Sequence, residues 1–253
     1  MQSIKSFTCA SFIARSLHSN QKKTKLWKLR WKPVCSSTEK DLSEWIRKKP
    51  ILENEFRAFF SARQVHGIGQ RGKKWHSPIG GVWISAAIPY SCDIKSPELL
   101  GISLSVSLSK RLERYHIPVK IKWPNDLIVE NRKLVGFLPK LISRGNSIRY
   151  FRIGIGLNVY NKVPLEGISI REITRLSSSG LDFWSAEVLL ALEDSVELLS
   201  FPNSLLDDAT ERLWAENLSL ENQNSIWKIE GLSLDGGLKI RKGSQYKILK
   251  RWS

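Results

Sequence analysis

The chain has 253 residues, 42% of them hydrophobic and ten of them Trp, enough to bury one substantial core with a small appendage. Its three Cys (Cys9, Cys35 and Cys92) are scattered and odd in number, which excludes a disulfide framework or a paired-cysteine metal site and points to a reducing compartment. The formal charge of +16 raises a nucleic-acid partner, but Lys5, Arg15, Lys22, Lys23, Lys25, Lys28, Arg30 and Lys32 precede the first acid, so half of the excess sits in residues 1–38.

Residues 1–25 read as a basic, Ser-rich arm with no acid. Such a start is either a poorly ordered tail on a cytoplasmic protein or an organellar transit segment. The apolar runs at 82–89, 134–142 and 181–192 are too short and interrupted to cross a membrane. Residues 26–34 alternate as the first strand of the folded part, and Ser36, Ser37 and Thr38 supply an N-cap for a helix over Glu39–Arg47. A strand over 56–65 then enters a glycine-rich loop from His66 to Gly81.

Val82–Ile88 reads as a buried strand, and Ser96-Pro97-Glu98 opens a long helix with Leu100, Leu104, Leu108 and Leu112 on one stripe. Val119–Lys122 alternates as a strand that Pro124 terminates. A hairpin follows, with strands over Leu127–Glu130 and Lys133–Leu141 and a turn at Asn131-Arg132. The paired glycines of the next strand, Tyr150–Val159, predict something packed closely on its backbone. Two helices are expected at about 183–199 and 206–217, then short strands around the Asp235-Gly236-Gly237 turn.

The segment Gly67-Ile-Gly-Gln-Arg-Gly-Lys-Lys-Trp75 follows a strand without opening a helix, so a dinucleotide-binding or P-loop reading fails on context. Its glycines still free backbone donors, and Arg71, Lys73 and Lys74 add positive charge, a makeup suited to closing over a phosphoanhydride or acyl phosphate. Lys122, at a strand end beside a polar turn, can meet a carboxylate or phosphate as a fixed point charge. Each feature also has a plain structural use: Ser37 and Thr38 as a helix cap, Trp75 as core, and Gly154 and Gly156 as sheet packing.

Taken in order, Ser37-Thr38, Gln64 before Gly67-x-Gly69-x-Arg71-Gly72-x-x-Trp75, Ser77-Pro78, Lys122-Trp-Pro-Asn-Asp126, Arg132-Lys133-Leu134-x-Gly136 and Gly154-x-Gly156-x-Asn158 resemble the catalytic domain of biotin-protein ligases. The likeness is strong over about residues 30–160 and weak over 160–245. It implies an α+β fold, a mixed β-sheet backed by helices, with a catalytic domain over 26–220 and a short β cap over 221–253. It also implies the reaction: ATP activates biotin to biotinyl-5'-adenylate with release of pyrophosphate, and biotin then passes to a lysine of a carrier protein, that of acetyl-CoA carboxylase.

Two anions meet in the first step, so a fixed cation must neutralise the developing charge. Lys122 is the residue the resemblance offers, with Mg²⁺ and the basic loop beside it. Carried over by motif, Ser37, Thr38, Gln64, Gly67, Gly136 and Gly154 line the biotin site. Gly69, Gln70, Arg71, Gly72, Lys73, Trp75, Asn125 and Asn158 bind the nucleotide. No metal ligands are assigned, and a homodimer is left open.

This sequence departs from the family in several places. Ile68 and Gln70 occupy positions where the family loop carries arginine, which predicts weaker retention of the adenylate. Glu39 stands where Asn commonly follows Ser-Thr, and Pro139-Lys140 where an acid is usual. With only 25 residues before the first strand, a helix-turn-helix domain and specific DNA binding are not expected. Two other functions remain open at this stage: a lipoate or octanoyl ligase or transferase of the same fold, and a catalytically weakened nucleic-acid-binding relative.

Overall fold

The computed structural model describes residues 10–20, 25–52, 55–91, 94, 96–145, 147–174, 179–220 and 226–250. In chain order the elements are α1 (Ala10–Asn20), β1 (Trp27–Cys35), α2 (Thr38–Lys48), β2 (Phe56–Gln64), β3 (Gly67–Ile68), β4 (Lys74–Trp75), β5 (Val82–Pro89) and α3 (Leu100–Glu113). Next come β6 (Lys120–Lys122), β7 (Asp126–Val129), β8 (Arg132–Arg144), β9 (Ser147–Leu157), α4 (Ile170–Ile173), α5 (Leu181–Leu198) and α6 (Pro202–Glu211). The chain closes with β10 (Asn217–Ser219), β11 (Ile226–Leu232), β12 (Leu238–Lys242) and β13 (Gln245–Leu249).

Seven strands form one sheet in the order β1-β2-β5-β9-β8-β7-β6. Only β1 and β2 run parallel; the other neighbours are antiparallel, so the sheet is mixed as expected. Side-chain alternation divides it into two faces. Ile84, Ala86, Ile88, Phe151, Ile153 and Ile155 point to the face covered by α3 and α5 and join the main core, while Phe59 and Ala87 point the other way and pack against Leu42, Trp45 and Ile46 of α2. The leucine stripe Leu100, Leu104, Leu108 and Leu112 is buried in the main core, as its spacing predicts.

Helix α2 covers only part of its face, because it begins at Thr38, beside the C-terminal ends of β1 and β2. Beyond its first turn lie Gly154 and Gly156 of β9, and Gly136 of β8, which pairs directly with Gly156. Three glycines on the same face of adjacent strands leave a shallow floor where side chains would otherwise fill the space.

The structure departs from the sequence expectation at both ends. Residues 10–20, within the expected arm, form a helix whose Ile13 and Leu17 are 0% and 2% exposed and which packs against α5. Charge and serine content concealed an i, i+4 apolar pair that finds a partner face only in the folded protein. Residues 1–9 and 21–24 of that arm, with Cys9 and Cys92, lie outside the described residues.

The second C-terminal helix spans Pro202–Glu211 instead of 206–217, since Pro202 starts it one turn earlier and residues from Asn217 join a strand. The terminal sheet has four strands, β10-β11-β12-β13, and its Trp227, Leu238 and Ile240 belong to the main core. Between β7 and β8 the left-handed pair is Glu130 and Asn131 (φ 49° and 61°), one residue earlier than expected.

Candidate active site

A cavity of about 510 Å³ opens over the glycine floor, walled by the start of α2, by the β3–β4 hairpin and by the turn between β6 and β7. At the α2 side stand Ser37, Thr38, Glu39 and Gln64. Ser37 occupies the N-cap position, yet its hydroxyl makes no capping bond. That hydroxyl is buried and has no hydrogen-bond partner among the described residues. The capping role falls to Gln64, whose Oε1 accepts from the Thr38 backbone N–H (2.8 Å) and from Thr38 Oγ1 (3.0 Å). Gln64 Nε2 donates to Ser77 Oγ at 2.9 Å, and Thr38 Oγ1 lies 2.8 Å from Ser85 Oγ. Four side chains from four segments thus hold one another in place and leave the Ser37 hydroxyl available to a ligand.

Trp75 crosses the middle of the site. A Cβ built on Gly156 would stand 2.4 Å from its Nε1, and one on Gly136 would stand 2.9 Å from its six-membered ring. The indole therefore lies against the paired glycines, which is the close approach that their spacing predicts. Its Nε1 is buried without a partner among the described residues, and its other ring neighbour is Trp83 in an edge contact at 6.5 Å. On the far side of Trp75 a second cavity of about 200 Å³ is lined by His76, Lys133, Asn158 and Glu166.

The reactive charges gather next to this tryptophan. Lys133 of β8 lies 2.7 Å from Asp126 Oδ1 and 4.8 Å from the Trp75 ring centroid. Burial pushes the Asp126 carboxyl above its ordinary range, opposed by the charges of Lys133 and Lys122. The hairpin above adds Gln70, Arg71, Lys73 and Lys74. It turns sharply: Arg71 has φ 53° and Gly72 φ 73°, with Gly69 N–H donating to Lys73 O at 2.7 Å.

Of the residues expected in the site, Ser37, Thr38, Gln64, Gly69, Gln70, Arg71, Lys73, Trp75, Asn125, Gly136 and Gly154 line the main cavity. Asn158 lines the second cavity, with its amide donating to Lys133 O at 3.2 Å. Gly67 lies behind the wall, where a Cβ would meet Trp75 O at 2.5 Å, and Gly72 faces open space. Asn125 is buried, and its amide donates to Phe137 O, so it fixes the turn as well as lining the site.

Lys122 stands at the exposed end of the edge strand β6, paired in register with Asp126, whose carboxyl feels its charge. Trp123, Pro124, Asn125 and Asp126, which follow it, line the cavity, as do Lys73, Lys74 and Lys133, the last eleven positions later in the Arg132-Lys133-Leu134 motif. A bulge between Leu127 and Ile128 shifts the register of β7 against β8, and Lys133 reaches Asp126 across it. Sequence reasoning also passed over Asp126, Lys133 and Ser85 as site residues. For Asp126 and Lys133 the usable signal was a carboxylate and a lysine at opposite ends of one predicted hairpin.

Residues 32–158 match the biotin/lipoate A/B protein ligase family. The bifunctional ligase/repressor BirA of Bacillus subtilis (strain 168) is 31% identical over 133 residues, covering 52% of this chain and 40% of that protein. Biotin–protein ligase 1, chloroplastic, of Arabidopsis thaliana is 29% identical over 141 residues, covering 53% of this chain and 37% of that protein. The chain therefore spans less than half the length of these curated relatives. Among solved structures, the biotin protein ligase from Aquifex aeolicus in complex with biotin and ATP shares the fold with a TM-score of 0.70 at 24% identity, over 88% of this chain and 95% of that one.

Proposed function

The chain belongs to the biotin/lipoate A/B protein ligase family, and from that premise we propose that it joins biotin to ATP and passes the biotinyl group to a lysine of a biotin carrier protein. The observation that carries this reading is the polarity of the main cavity: an unpartnered buried hydroxyl, Ser37 Oγ, at the α2 side, and Lys133, Lys73 and Lys74 at the Trp75 side. An acid with a polar ring at one end and a carboxylate at the other fits that polarity in one orientation.

In the first step a biotin carboxylate oxygen attacks the α-phosphorus of ATP. The bond from that phosphorus to the bridging oxygen breaks, and pyrophosphate leaves. Both reactants are anions, and a preorganised cation in a partly dry site lowers the barrier as charge gathers between them. Lys122, carried over by its motif and standing beside Asp126, is the cation we assign to this role, with Lys133, which faces the cavity next to Asp126 and Trp75, as a second one. In the second step the neutral amine of the carrier lysine attacks the acyl carbon, the acyl–oxygen bond breaks, and AMP departs.

Trp75 separates the two cavities, and we assign the smaller one, with Asn158, to the adenine side of the nucleotide. Among the described residues no three His, Cys, Asp or Glu stand together. Asp126, beside Lys133, is the protein carboxylate that would help hold a Mg²⁺ ion brought with the nucleotide. When bound, it would draw charge from the phosphates. Among the described residues no helix is long and apolar enough to cross a membrane.

The carrier of acetyl-CoA carboxylase is the acceptor we propose on the strength of the family resemblance. Incubation with ATP, Mg²⁺, labelled biotin and that carrier domain should label the carrier, and no labelling where a control ligase succeeds would remove the proposal.

A further inference from the structure

We infer that Glu39 is the specificity-determining residue of the acid-binding cavity, accepting an N–H of the substrate's ring through its Oε1. This deepens the ligase reading above and rests on it. Glu39 is 7% exposed, lines the cavity, and its Oε1 is buried without a hydrogen-bond partner among the described residues. The other oxygen faces Arg152, whose Nε lies 3.2 Å from Oε2 in an ion pair. Arg152 comes from β9 and also donates from its terminal nitrogen to Ser43 Oγ at 2.7 Å, one helical turn along α2 from Glu39. The carboxylate is thus clamped from one side and open on the other.

A buried carboxylate oxygen with no donor is costly, and an N–H brought in by a ligand relieves that cost. The neighbouring acceptors are already occupied: Gln64 Oε1 accepts twice from Thr38, and the Thr38 hydroxyl is shared between Gln64 and Ser85. The buried polar atoms of this side that have no partner among the described residues are a hydroxyl able to donate, Ser37 Oγ, and an acceptor, Glu39 Oε1. A donor beside an acceptor is the complement of a carbonyl next to an N–H, the arrangement of a cyclic urea.

A ring without N–H, such as a dithiolane or an alkyl chain end, would leave Oε1 unpartnered, and binding would carry that penalty. The same negative charge repels the substrate's own carboxylate and so turns it toward Lys133. Glu39 lies over Gly154, where a Cβ would meet its Oε1 at 3.4 Å, two residues along β9 from the Gly156 that Trp75 covers. Recognition of the ring and activation of the acid are separated along one strand by about 7 Å.

The test compares kcat/KM for adenylate formation with biotin and with the cyclic carbamates in which one ureido N–H, then the other, is replaced by oxygen. These analogues remove a donor without adding bulk. For the native protein we expect a preference for biotin of about tenfold or more over one of the two carbamates. In the double variant Glu39→Leu with Arg152→Met, which removes both charges and orphans neither, that ratio should fall to within about twofold of one, through a raised KM for biotin and an unchanged KM for ATP. Glu39→Gln, which retains an acceptor oxygen, should restore part of the preference. A ratio is insensitive to how much protein is folded, so an unchanged ratio in the double variant overturns the assignment of Glu39. A native protein that activates lipoate or octanoate but not biotin would overturn the ligase reading itself, and that result is read before any variant is made.

Discussion

Lys133 and Asp126 form an ion pair at 2.7 Å across the β7–β8 hairpin, with the lysine's ammonium also seated over the face of Trp75 at 4.8 Å. Each neighbour restrains the other. Asp126 fixes where the charge points, and the indole gives it a partly desolvated seat in which a cation acts more strongly than in water.

Two cations stand at Asp126, Lys133 and Lys122, and a variant of each tests its share. We expect Lys122→Ala to lower kcat/KM for adenylate formation by about 10²–10³ or more, and Lys133→Ala to lower it by about tenfold or more. Single-turnover measurement of adenylate with each variant checks this, and a near-native rate in Lys122→Ala would remove that residue from the mechanism.

Asp126→Asn separates stability from activity. Burial raises the folded-state pKa of this carboxyl. Ionised Asp126 therefore costs the native state stability that the protonated form does not, and the favourable contribution is lost as pH rises through the folded pKa. The asparagine variant should match the native protein in melting temperature below about pH 3.9, the ordinary carboxyl value. It should gain on it as the pH climbs, while adenylate formation falls at neutral pH because Lys133 has lost its guide. Melting curves from pH 3 to 7 check the sign: a difference that shrinks with rising pH would mean that the Lys133 pair outweighs burial.

The cavity floor was legible in the sequence, and the pairing of Lys133 with Asp126 was not. Gly154, Gly156 and Gly136 announce a close approach because glycine recurs where a strand would carry bulk, and the loop with Arg71 and Lys73 announces anion chemistry by composition. Lys122 and Lys133 both stand in motifs next to turns, but that both lie against Asp126 depends on the β6–β7 pairing and on a register shift at Leu127/Ile128 that has no marker in the residues themselves. Glu39 was visible as a departure, but its burial against Arg152 depends on a contact 113 positions away. The α1 helix was missed for a similar reason: Ile13 and Leu17 form an apolar stripe too short to count until α5 supplies the other half.

Gly156→Ala should uncouple the two cavities from their partition. The new Cβ would meet Trp75 Nε1 at 2.4 Å, a distance only displacement of the indole can relieve. Overpacking of this kind costs about 1–3 kcal/mol of stability, and the displaced ring should raise the KM for ATP more than that for biotin. Urea unfolding and the two KM values measured together check it, and an unaltered KM for ATP would remove Trp75 from the nucleotide side.

Leu17→Ala tests whether the N-terminal segment belongs to the fold. Leu17 is 2% exposed in the main core, and Ser16 Oγ ties the same helix to Asp182 Oδ2 at 2.8 Å. Truncating a buried leucine costs about 2–5 kcal/mol. A shift in the urea midpoint equivalent to less than about 0.5 kcal/mol would show that α1 contributes nothing to the folded state. The expected loss also argues that a mature protein cleaved after residue 25 would expose the face of α5 that Ile13 and Leu17 cover. N-terminal sequencing of the native protein shows whether that occurs.

Gln70→Arg addresses how long the adenylate stays. Gln70 lines the cavity in the hairpin that turns at Arg71 and Gly72. Its amide can offer a phosphate only neutral donors, whereas a guanidinium offers charge-assisted and bidentate bonds. A hydrogen bond to a charged group contributes about 1.5–3 kcal/mol, roughly ten- to a hundredfold in a rate. Arg71, Lys73 and Lys74 already supply positive charge to the same wall, so the gain should lie near the lower end. We expect the off-rate of biotinyl-5'-adenylate to fall about tenfold in Gln70→Arg, with transfer to the carrier unchanged or slower, because the acyl group must still reach an incoming amine. Stopped-flow tryptophan fluorescence during chase with unlabelled ligand measures that rate. An off-rate equal to that of the native protein would mean that residue 70 does not reach the phosphate, and that Arg71, Lys73 and Lys74 hold it without help.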